Sequence, residues 1–152
     1  MIDKKVLKAT AEDLLSDLQI VGKISIDQQD DINLVKITPK EKDDAPLLIG
    51  YHGETLASFQ LILGLILFKK GGEWVKLSVD VDGYKEKREV QLKAMAESFA
   101  LQAISSGQPV YLPLLSAADR RVIHVSLQDR SDVMSESEGE GENRRLVIKP
   151  KS

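Results

Sequence analysis

The sequence of 152 residues contains no cysteine, and only 5% of its residues are aromatic. The absence of cysteine excludes disulfide bonds and thiolate metal sites, which is typical of proteins that fold in a reducing compartment. Long hydrophobic runs are also missing, because the longest, residues 61–68, is far shorter than the roughly 18 apolar residues of a membrane span. No apolar segment near the N-terminus resembles a secretion signal. We therefore expect a cytoplasmic protein that is not inserted in a membrane.

Excess positive charge is lacking as well, since the formal net charge is -3. Proteins that bind nucleic acid chiefly through phosphate contacts are usually basic over the binding domain, so the composition argues mildly against nonspecific binding to polyanions. The charge is unevenly distributed: residues 1–82 carry 10 Lys and Arg against 14 Asp and Glu, whereas residues 83–152 carry 11 against 10. The second part of the chain is therefore better suited to contact an acidic polymer.

Hydrophobic periodicity predicts an α+β domain in the first part of the chain. Leucines at helical spacing favour an amphipathic helix, and alternating apolar residues favour a β-hairpin after it. The predicted elements are helix, strand, strand, short helix, long helix and strand, at residues 3–18, 24–26, 32–37, 47–49, 54–70 and 74–81. Leu61, Ile62 and Leu65 widen the apolar face of the long helix, so we expect it to be the central core helix. Trp74 is expected in the core too.

The second part of the chain predicts two helices and short strands. A long helix is expected from Tyr84 to about Ala103, and another follows Ser116, whose hydroxyl and the Asp119 carboxylate are both expected to satisfy free N–H groups at its start. Tyr111, on a short strand, is expected in the core. Further strand-like runs occupy residues 133–134 and 146–148. We predict two small domains, divided at Asp82-Gly83 into residues 1–82 and 83–152.

The first candidate site is Gly50-Tyr51-His52-Gly53, between a short apolar run and the long helix. Two glycines let the backbone pass close to another molecule, and the N–H groups and dipole at a helix start favour an anion such as a nucleic-acid phosphate. An ordinary turn at a helix start gives the same tetrapeptide, so the pattern alone leaves both interpretations open.

The second candidate site is Arg120-Arg121-Val122-Ile123-His124. Arg120 and His124 are four residues apart on a predicted helix, so their side chains leave one face within ~6 Å of each other. A guanidinium fork grips a phosphate, and an imidazole hydrogen-bonds or stacks beside it. The alternative is structural: Arg120 pairs with a carboxylate, and His124 is half-buried and hydrogen-bonded.

Three stretches together resemble a known family. They are residues 48–56 around the glycine tetrapeptide, residues 80–88, and residues 119–124 with the later Ser135-Glu136-Ser137-Glu138-Gly139 and Arg144-Arg145. The chain is similar to the bacterial Jag family, the proteins described as associated with the SpoIIIJ membrane insertase. In that family a K-homology (KH) domain of the prokaryotic type II topology, αββααβ, precedes an Arg-xxx-His (R-three-H) domain, an α/β domain with a small three-stranded sheet.

The resemblance implies binding of single-stranded RNA, with single-stranded DNA as the alternative polymer, and a post-transcriptional or cell-envelope role in elongation and cell shape. It implies pairing with a small stand-alone KH protein, and it implies no cofactor, metal or catalytic residue. The oligomeric state is left open. The residues expected to bind nucleic acid are Gly50, Tyr51, His52, Gly53, Lys69, Lys70, Arg120, Arg121, His124, Arg144 and Arg145.

Some features depart from the family or leave an alternative open. The variable pair of the family's loop is usually basic, whereas here it is Tyr51-His52, so modest affinity is expected. Lys69 and Lys70 end the long helix, where lysines favour the dipole of any helix. The acidic segment before Arg144-Arg145 is expected to form a hairpin whose glutamates partly neutralise these arginines. The family often has a further N-terminal domain, and its functions are not expected of this chain.

Two other functions compete with RNA binding. Phosphodiester cleavage could use His124 as a general acid or base, but His52 is the only other histidine and no dense acidic cluster lies outside the tail. A protein–protein adaptor with weak or no nucleic-acid binding is favoured by the acidic first half. We therefore predict a binding protein and not an enzyme.

Overall fold

A computed structural model describes residues 2–152 of the chain. The chain divides into two compact units, the first ending at Lys85 and the second comprising Glu86–Ser152. Both combine helices with a small sheet, so the predicted α+β fold with two small units is confirmed. The assignment of separate functional domains to residues 1–82 and 83–152 stays a prediction.

The first unit has the element order that the periodicity predicts. Its elements are α1 (Lys4–Asp17), β1 (Gly22–Gln29), β2 (Ile32–Pro39), α2 (Asp44–Ile49), α3 (Glu54–Gly71) and β3 (Leu77–Val81). Asp3 caps α1 by accepting a hydrogen bond of 2.8 Å from the backbone N–H of Lys5. The sheet order is β1-β2-β3, with β1 antiparallel and β3 parallel to β2. A parallel pair requires a crossover connection, which α2 and α3 supply.

The register of the sheet explains the alternation in the sequence. Ile24 lies opposite Ile37, and Val35 lies opposite Val79, so alternate apolar residues of all three strands share one face. That face packs with α1 and α3 in a core that contains Leu7, Leu15, Leu56, Phe59, Leu63 and Leu67. The core therefore fixes the start of α3, where the glycine tetrapeptide lies.

Two predictions about this core are wrong. Leu61, Ile62 and Leu65 do not widen the core, because they are 61%, 46% and 43% exposed. Trp74 precedes β3 instead of lying on it, and it is 62% exposed and stacks on Phe68 with ring centroids 4.7 Å apart. The physical reason is that α3 is apolar on nearly all sides, so only its packing partners determine which face is buried.

The stretch from α2 to α3, Asp44–Gly71, is long and apolar enough to cross a membrane by length and composition alone. Core helices of folded domains meet the same criterion, and the side chains of Leu48, Leu63 and Leu67 are buried in the core of the first unit. The stretch is also interrupted after Ile49, where the backbone leaves the helical conformation.

The second unit has the predicted three-stranded sheet. Its elements are α4 (Tyr84–Ser106), β4 (Val110–Tyr111), α5 (Ala117–Leu127), β5 (Val133–Glu138) and β6 (Arg145–Pro150), with α4 beginning two residues before the unit. The sheet order is β4-β6-β5 with antiparallel neighbours. The acidic segment thus forms the predicted hairpin of β5 and β6.

Small side chains line the buried face of α4. Ala96, Ala100 and Ala103 are buried with Leu112 and Ile123 in the core of the second unit. Because alanine side chains are small, the strands and α5 pack close to the backbone of α4. Tyr111 is 55% exposed, and its predicted burial is wrong, because successive strand residues point to opposite faces and Val110 takes the inward position.

Candidate nucleic-acid interface

The glycine tetrapeptide joins α2 to α3 through an unusual backbone. Gly50 ends α2 with φ 69° and ψ -174°, and Tyr51–Gly53 form a single 3-10 turn. His52 has φ 51° and Gly53 has φ 82°. Positive φ is the region that glycine tolerates, and histidine is among the other residues enriched there. The residues at this junction therefore suit its backbone.

Packing inside the first unit favours glycine at both positions, most strongly at Gly50. A Cβ atom on Gly50 would lie 2.1 Å from Thr55 Oγ1 and 2.9 Å from the Thr55 backbone nitrogen. A Cβ atom on Gly53 would lie 3.0 Å from Tyr84 Cε1. Packing inside the first unit thus leaves little room for a larger residue at either glycine.

The two side chains between the glycines stack on each other. The ring centroids of Tyr51 and His52 are 3.9 Å apart and their planes are inclined by 21°. Tyr51 is exposed and His52 is partly buried. The loop has no ammonium or guanidinium group, so the groups that it offers to an anion are backbone N–H groups and the start of α3.

Lys69 and Lys70 lie in the last turn of α3, at the opposite end from the tetrapeptide. The 18 residues of α3 separate the two ends by about 27 Å. Lys70 Nζ donates to Thr10 Oγ1 at 3.1 Å, which ties it to α1. The structure therefore does not bring these lysines together with Gly50–Gly53, and their contact with nucleic acid stays a prediction.

The second candidate site is an open cleft of about 490 Å³ between α5 and the β5–β6 hairpin. We call it the basic cleft, and its lining residues are Ala117, Ala118, Arg120, Arg121, His124, Ser137 and Arg144. Of the residues of the second unit that the sequence predicts to bind nucleic acid, all except Arg145 are brought together here. Arg145 is the first residue of β6 and does not line the cleft, whereas Arg144 immediately precedes that strand.

Arg120 is held in the basic cleft by backbone carbonyl groups. Its Nη1 donates to the Leu115 oxygen at 2.7 Å and to the Arg144 oxygen at 3.3 Å. It makes no ion pair within residues 2–152, so the alternative that a carboxylate occupies it is wrong for this part of the chain. A guanidinium has five N–H donors, and those beyond Nη1 are available to a ligand.

His124 is positioned by the neighbouring strand. Its Nδ1 lies 2.6 Å from Ser135 Oγ, while Nε2 makes no hydrogen bond to any described residue. A bond at one ring nitrogen fixes the ring orientation and leaves the other nitrogen for a ligand. His124 and Arg120 thus offer hydrogen-bonding groups to the same cleft, as their spacing predicts.

The ion pairs of the hairpin glutamates join them to Lys149. Lys149 Nζ lies 2.8 Å from Glu136 Oε2 and 3.3 Å from Glu138 Oε1, and these hydrogen bonds raise the pKa of Lys149. Arg144 instead donates to the Gly139 oxygen at 3.4 Å. No ion pair joins a glutamate of the hairpin to Arg144 or Arg145 among the described residues, but the β5–β6 register places Glu138 opposite Arg145, so partial neutralisation stays a prediction.

The ion pair that supports this cleft is a feature that the sequence does not reveal. Arg88 Nη2 and Nε lie 2.7 and 3.3 Å from Asp119 Oδ2. Ser116 caps α5 as predicted, because its Oγ accepts from the Asp119 N–H at 3.1 Å. The predicted capping role of the Asp119 carboxylate is wrong, since that group binds Arg88. The partners are 31 residues apart, so no local pattern connects them.

Within residues 2–152 no group of three or more His, Asp or Glu side chains could hold a metal ion. The first candidate site therefore offers backbone N–H groups and aromatic rings, and the second offers guanidinium groups and an imidazole. These groups are suited to bind an anionic polymer with exposed bases.

Comparison with known proteins supports the second half of the sequence prediction. Residues 90–150 match the family model of the R-three-H domain. This confirms the corresponding part of the resemblance, and the match contains every residue of the basic cleft.

The chain is also similar to proteins named RNA-binding protein KhpB. It is 32% identical to that of Bacillus subtilis over 136 residues, 35% to that of Lactiplantibacillus plantarum over 102, and 31% to that of Clostridium symbiosum over 106. These alignments cover 87%, 67% and 70% of this chain. They cover 64%, 32% and 48% of the three relatives, so the chain spans less than two thirds of the length of each.

Proposed function

We propose that this chain binds single-stranded RNA through two surfaces, the Gly50–Gly53 loop of the first unit and the basic cleft of the second. The single observation that carries the proposal is the basic cleft. Its charged and polar lining includes Arg120, Arg121, Arg144 and His124, and none of these side chains forms an ion pair with a carboxylate of the described residues. The match of this region to the R-three-H domain and the name of the relatives support RNA as the ligand.

In the basic cleft, the arginines would neutralise phosphates and position the strand. Arg120 is already oriented by the Leu115 and Arg144 carbonyl groups, so little side-chain freedom is lost when a phosphate binds. The charge-assisted hydrogen bonds from a guanidinium to phosphate are stronger than those between neutral groups. His124 Nε2 would add a hydrogen bond to a phosphate, sugar or base.

For the first unit we propose a KH domain of the type II topology. The order αββααβ and the Gly-x-x-Gly tetrapeptide between α2 and α3 support this assignment. In KH domains this loop clamps the backbone of about four nucleotides. Here the main-chain N–H groups would make that contact, and affinity would be modest because the loop carries no cationic side chain.

The wider role follows from the family resemblance. We propose a cytoplasmic binding protein in post-transcriptional or cell-envelope control, without cofactor or catalysis, that pairs with a small stand-alone KH protein. The name of the relatives favours RNA over a purely protein-binding adaptor. RNA is also preferred to DNA on this ground, and a direct competition between the two polymers tests that preference.

The test is a titration of a labelled, unstructured RNA oligonucleotide with the full chain after removal of co-purified nucleic acid. We expect binding at low salt and a linear decrease of log K with log salt concentration. The side chain of Arg121 makes no hydrogen bond or ion pair to the described residues, so Arg121→Ala isolates a phosphate contact better than Arg120→Ala does.

Arg121→Ala should weaken binding and lower the salt slope by about one. Lys151→Ala removes the same charge outside the basic cleft and serves as the control. Absence of binding by the wild-type chain at low salt would overturn the proposal. Equal slopes for the two variants would remove Arg121 from the interface.

A further inference from the structure

Tyr51 is the most exposed of the large apolar and aromatic side chains in the described part of the chain, at 71%. One face of its ring is covered by His52, whose ring centroid is 3.9 Å away. A side chain that remains so exposed while one face is covered must have its other face open to solvent. The structure thus presents a flat aromatic surface at the tip of the Gly50–Gly53 loop.

The backbone is what allows the two rings to stack. Side chains of consecutive residues do not face each other in a regular helix. At this junction His52 has φ 51° and ψ 28°, which breaks the helical path and turns its ring beneath that of Tyr51. Such a conformation costs energy for a residue other than glycine and persists only when its surroundings enforce it.

The surroundings of the loop do enforce it. Gly50 lies against Thr55 and Gly53 lies against the ring of Tyr84, and neither glycine has room for a Cβ atom without displacement of these neighbours. His52 itself is partly buried, so its ring is a support and Tyr51 is the exposed layer. The stack of Tyr51 on His52 is therefore already present in the chain without a ligand.

We infer that the open face of Tyr51 stacks with one unpaired base of the bound strand, with His52 as a positioning residue beneath it. The inference rests on the proposed RNA binding and adds the chemical group that this loop recognises. Aromatic side chains stack with any base, because every base has a π-face. The loop would then act on a base as well as on the phosphate backbone.

Substitution of Tyr51 separates stacking from other contacts. Tyr51→Leu should weaken RNA binding by about tenfold, as for the loss of one base–aromatic stack, and should leave the salt slope unchanged. Tyr51→Phe keeps the ring and removes only the hydroxyl, so it should bind as the wild type does. Circular dichroism of each variant checks that the fold is retained.

An RNA that lacks one base provides the matching change on the ligand. A series of oligonucleotides with a single abasic position is titrated with the wild type and with Tyr51→Leu. At one position the missing base should weaken wild-type binding about tenfold and have no effect on the variant, since the same contact is already lost. His52→Asn keeps a residue tolerant of positive φ and removes the supporting ring, so a smaller loss is expected.

The outcomes distinguish this inference from the proposed function. If the wild type binds RNA and Arg121→Ala weakens it, but Tyr51→Leu binds as tightly as Tyr51→Phe, the inference is wrong and the proposed function stands. A reduced salt slope for Tyr51→Leu would also overturn it, since that marks a phosphate contact. If the wild type binds no RNA, both fail.

Discussion

Arg88 Nη2 lies 2.7 Å from Asp119 Oδ2, and the two side chains are only 15% and 10% exposed. The ion pair ties α4 to the first turn of α5, immediately before Arg120. Removal of one partner of a buried ion pair leaves the other charge without compensation. The position of the basic cleft therefore depends on a residue that does not line it.

Arg88→Ala is expected to destabilise the second unit by about 3–5 kcal/mol, because Asp119 would remain buried and charged. Urea unfolding followed by circular dichroism measures the change in the free energy of unfolding. Lys87→Ala, one residue away on the exposed side of α4, is the control and should lie within about 0.5 kcal/mol of the wild type. Equal stability of the two variants would contradict the structural role of the ion pair.

Gly50→Ala is expected to destabilise the first unit more than Gly72→Ala does. Both glycines have positive φ, 69° and 75°. Gly72 lies in the left-handed region, where alanine costs about 1–2 kcal/mol, whereas Gly50, with ψ -174°, lies in a region that is essentially restricted to glycine, so alanine is more strained there. Only at Gly50 does the new Cβ also collide with Thr55, at 2.1 Å from Oγ1, whereas nothing lies within 4 Å at Gly72. Fluorescence of Trp74, the only tryptophan, reports urea unfolding of this unit. Equal losses would show that packing against Thr55 does not shape the loop.

The features that the sequence predicts correctly are those with a local period. Alternation predicted β1 and β2, because one face of the sheet is buried and the other is solvated. The spacing of Arg120 and His124 placed both in one cleft, because residues four apart share a helix face. Strand alternation and helix periodicity are readable from neighbouring residues alone.

The features that the sequence did not predict depend on contacts between distant residues. The apolar residues of α3 do not define one face, so the exposure of Leu61 and Leu65 follows only from what packs beside them. Gly72 ends α3 with φ 75°, so the chain reverses its direction there and Trp74 stacks on Phe68 of the same helix. The partner of Lys149 is determined by the register of β5 and β6, which the sequence does not state.

Asp132→Asn is expected to lower stability at neutral pH and to lose this effect in acid. Arg130 donates to both carboxylate oxygens of Asp132 at 2.9 and 2.7 Å and holds the pKa of Asp132 below its ordinary value of 3.8. Asp132 therefore binds a proton more readily in the unfolded chain than in the folded one. The contribution of its charge to stability is complete above pH 3.8, and it disappears as the pH falls through the lower pKa that Asp132 has in the folded chain. Urea unfolding from pH 7 to pH 3 measures the difference.

Asp129→Asn is the control for the acid series, because Asp129 makes no ion pair among residues 2–152. The difference in the free energy of unfolding between the wild type and Asp132→Asn should decrease as the pH falls through the acid range. The corresponding difference between the wild type and Asp129→Asn should stay small at every pH. A difference that is constant with pH would show that the substitution acts through packing and not through the charge of Asp132.

Lys149→Met is expected to weaken RNA binding although Lys149 does not line the basic cleft. The substitution removes the cation that pairs with Glu136 and Glu138. Both glutamates lie on β5, the strand that also contributes Ser137 to the cleft. Two uncompensated carboxylates would repel phosphate over a range of about 10 Å at 0.1 M salt. Affinity should fall severalfold at low salt, and the difference from the wild type should diminish as salt screens it. Lys151→Met is the control, because it removes an equal charge from a lysine that makes no ion pair to the described residues. If this control weakens RNA binding as much as Lys149→Met does, Lys149 does not act by compensating the charges of Glu136 and Glu138.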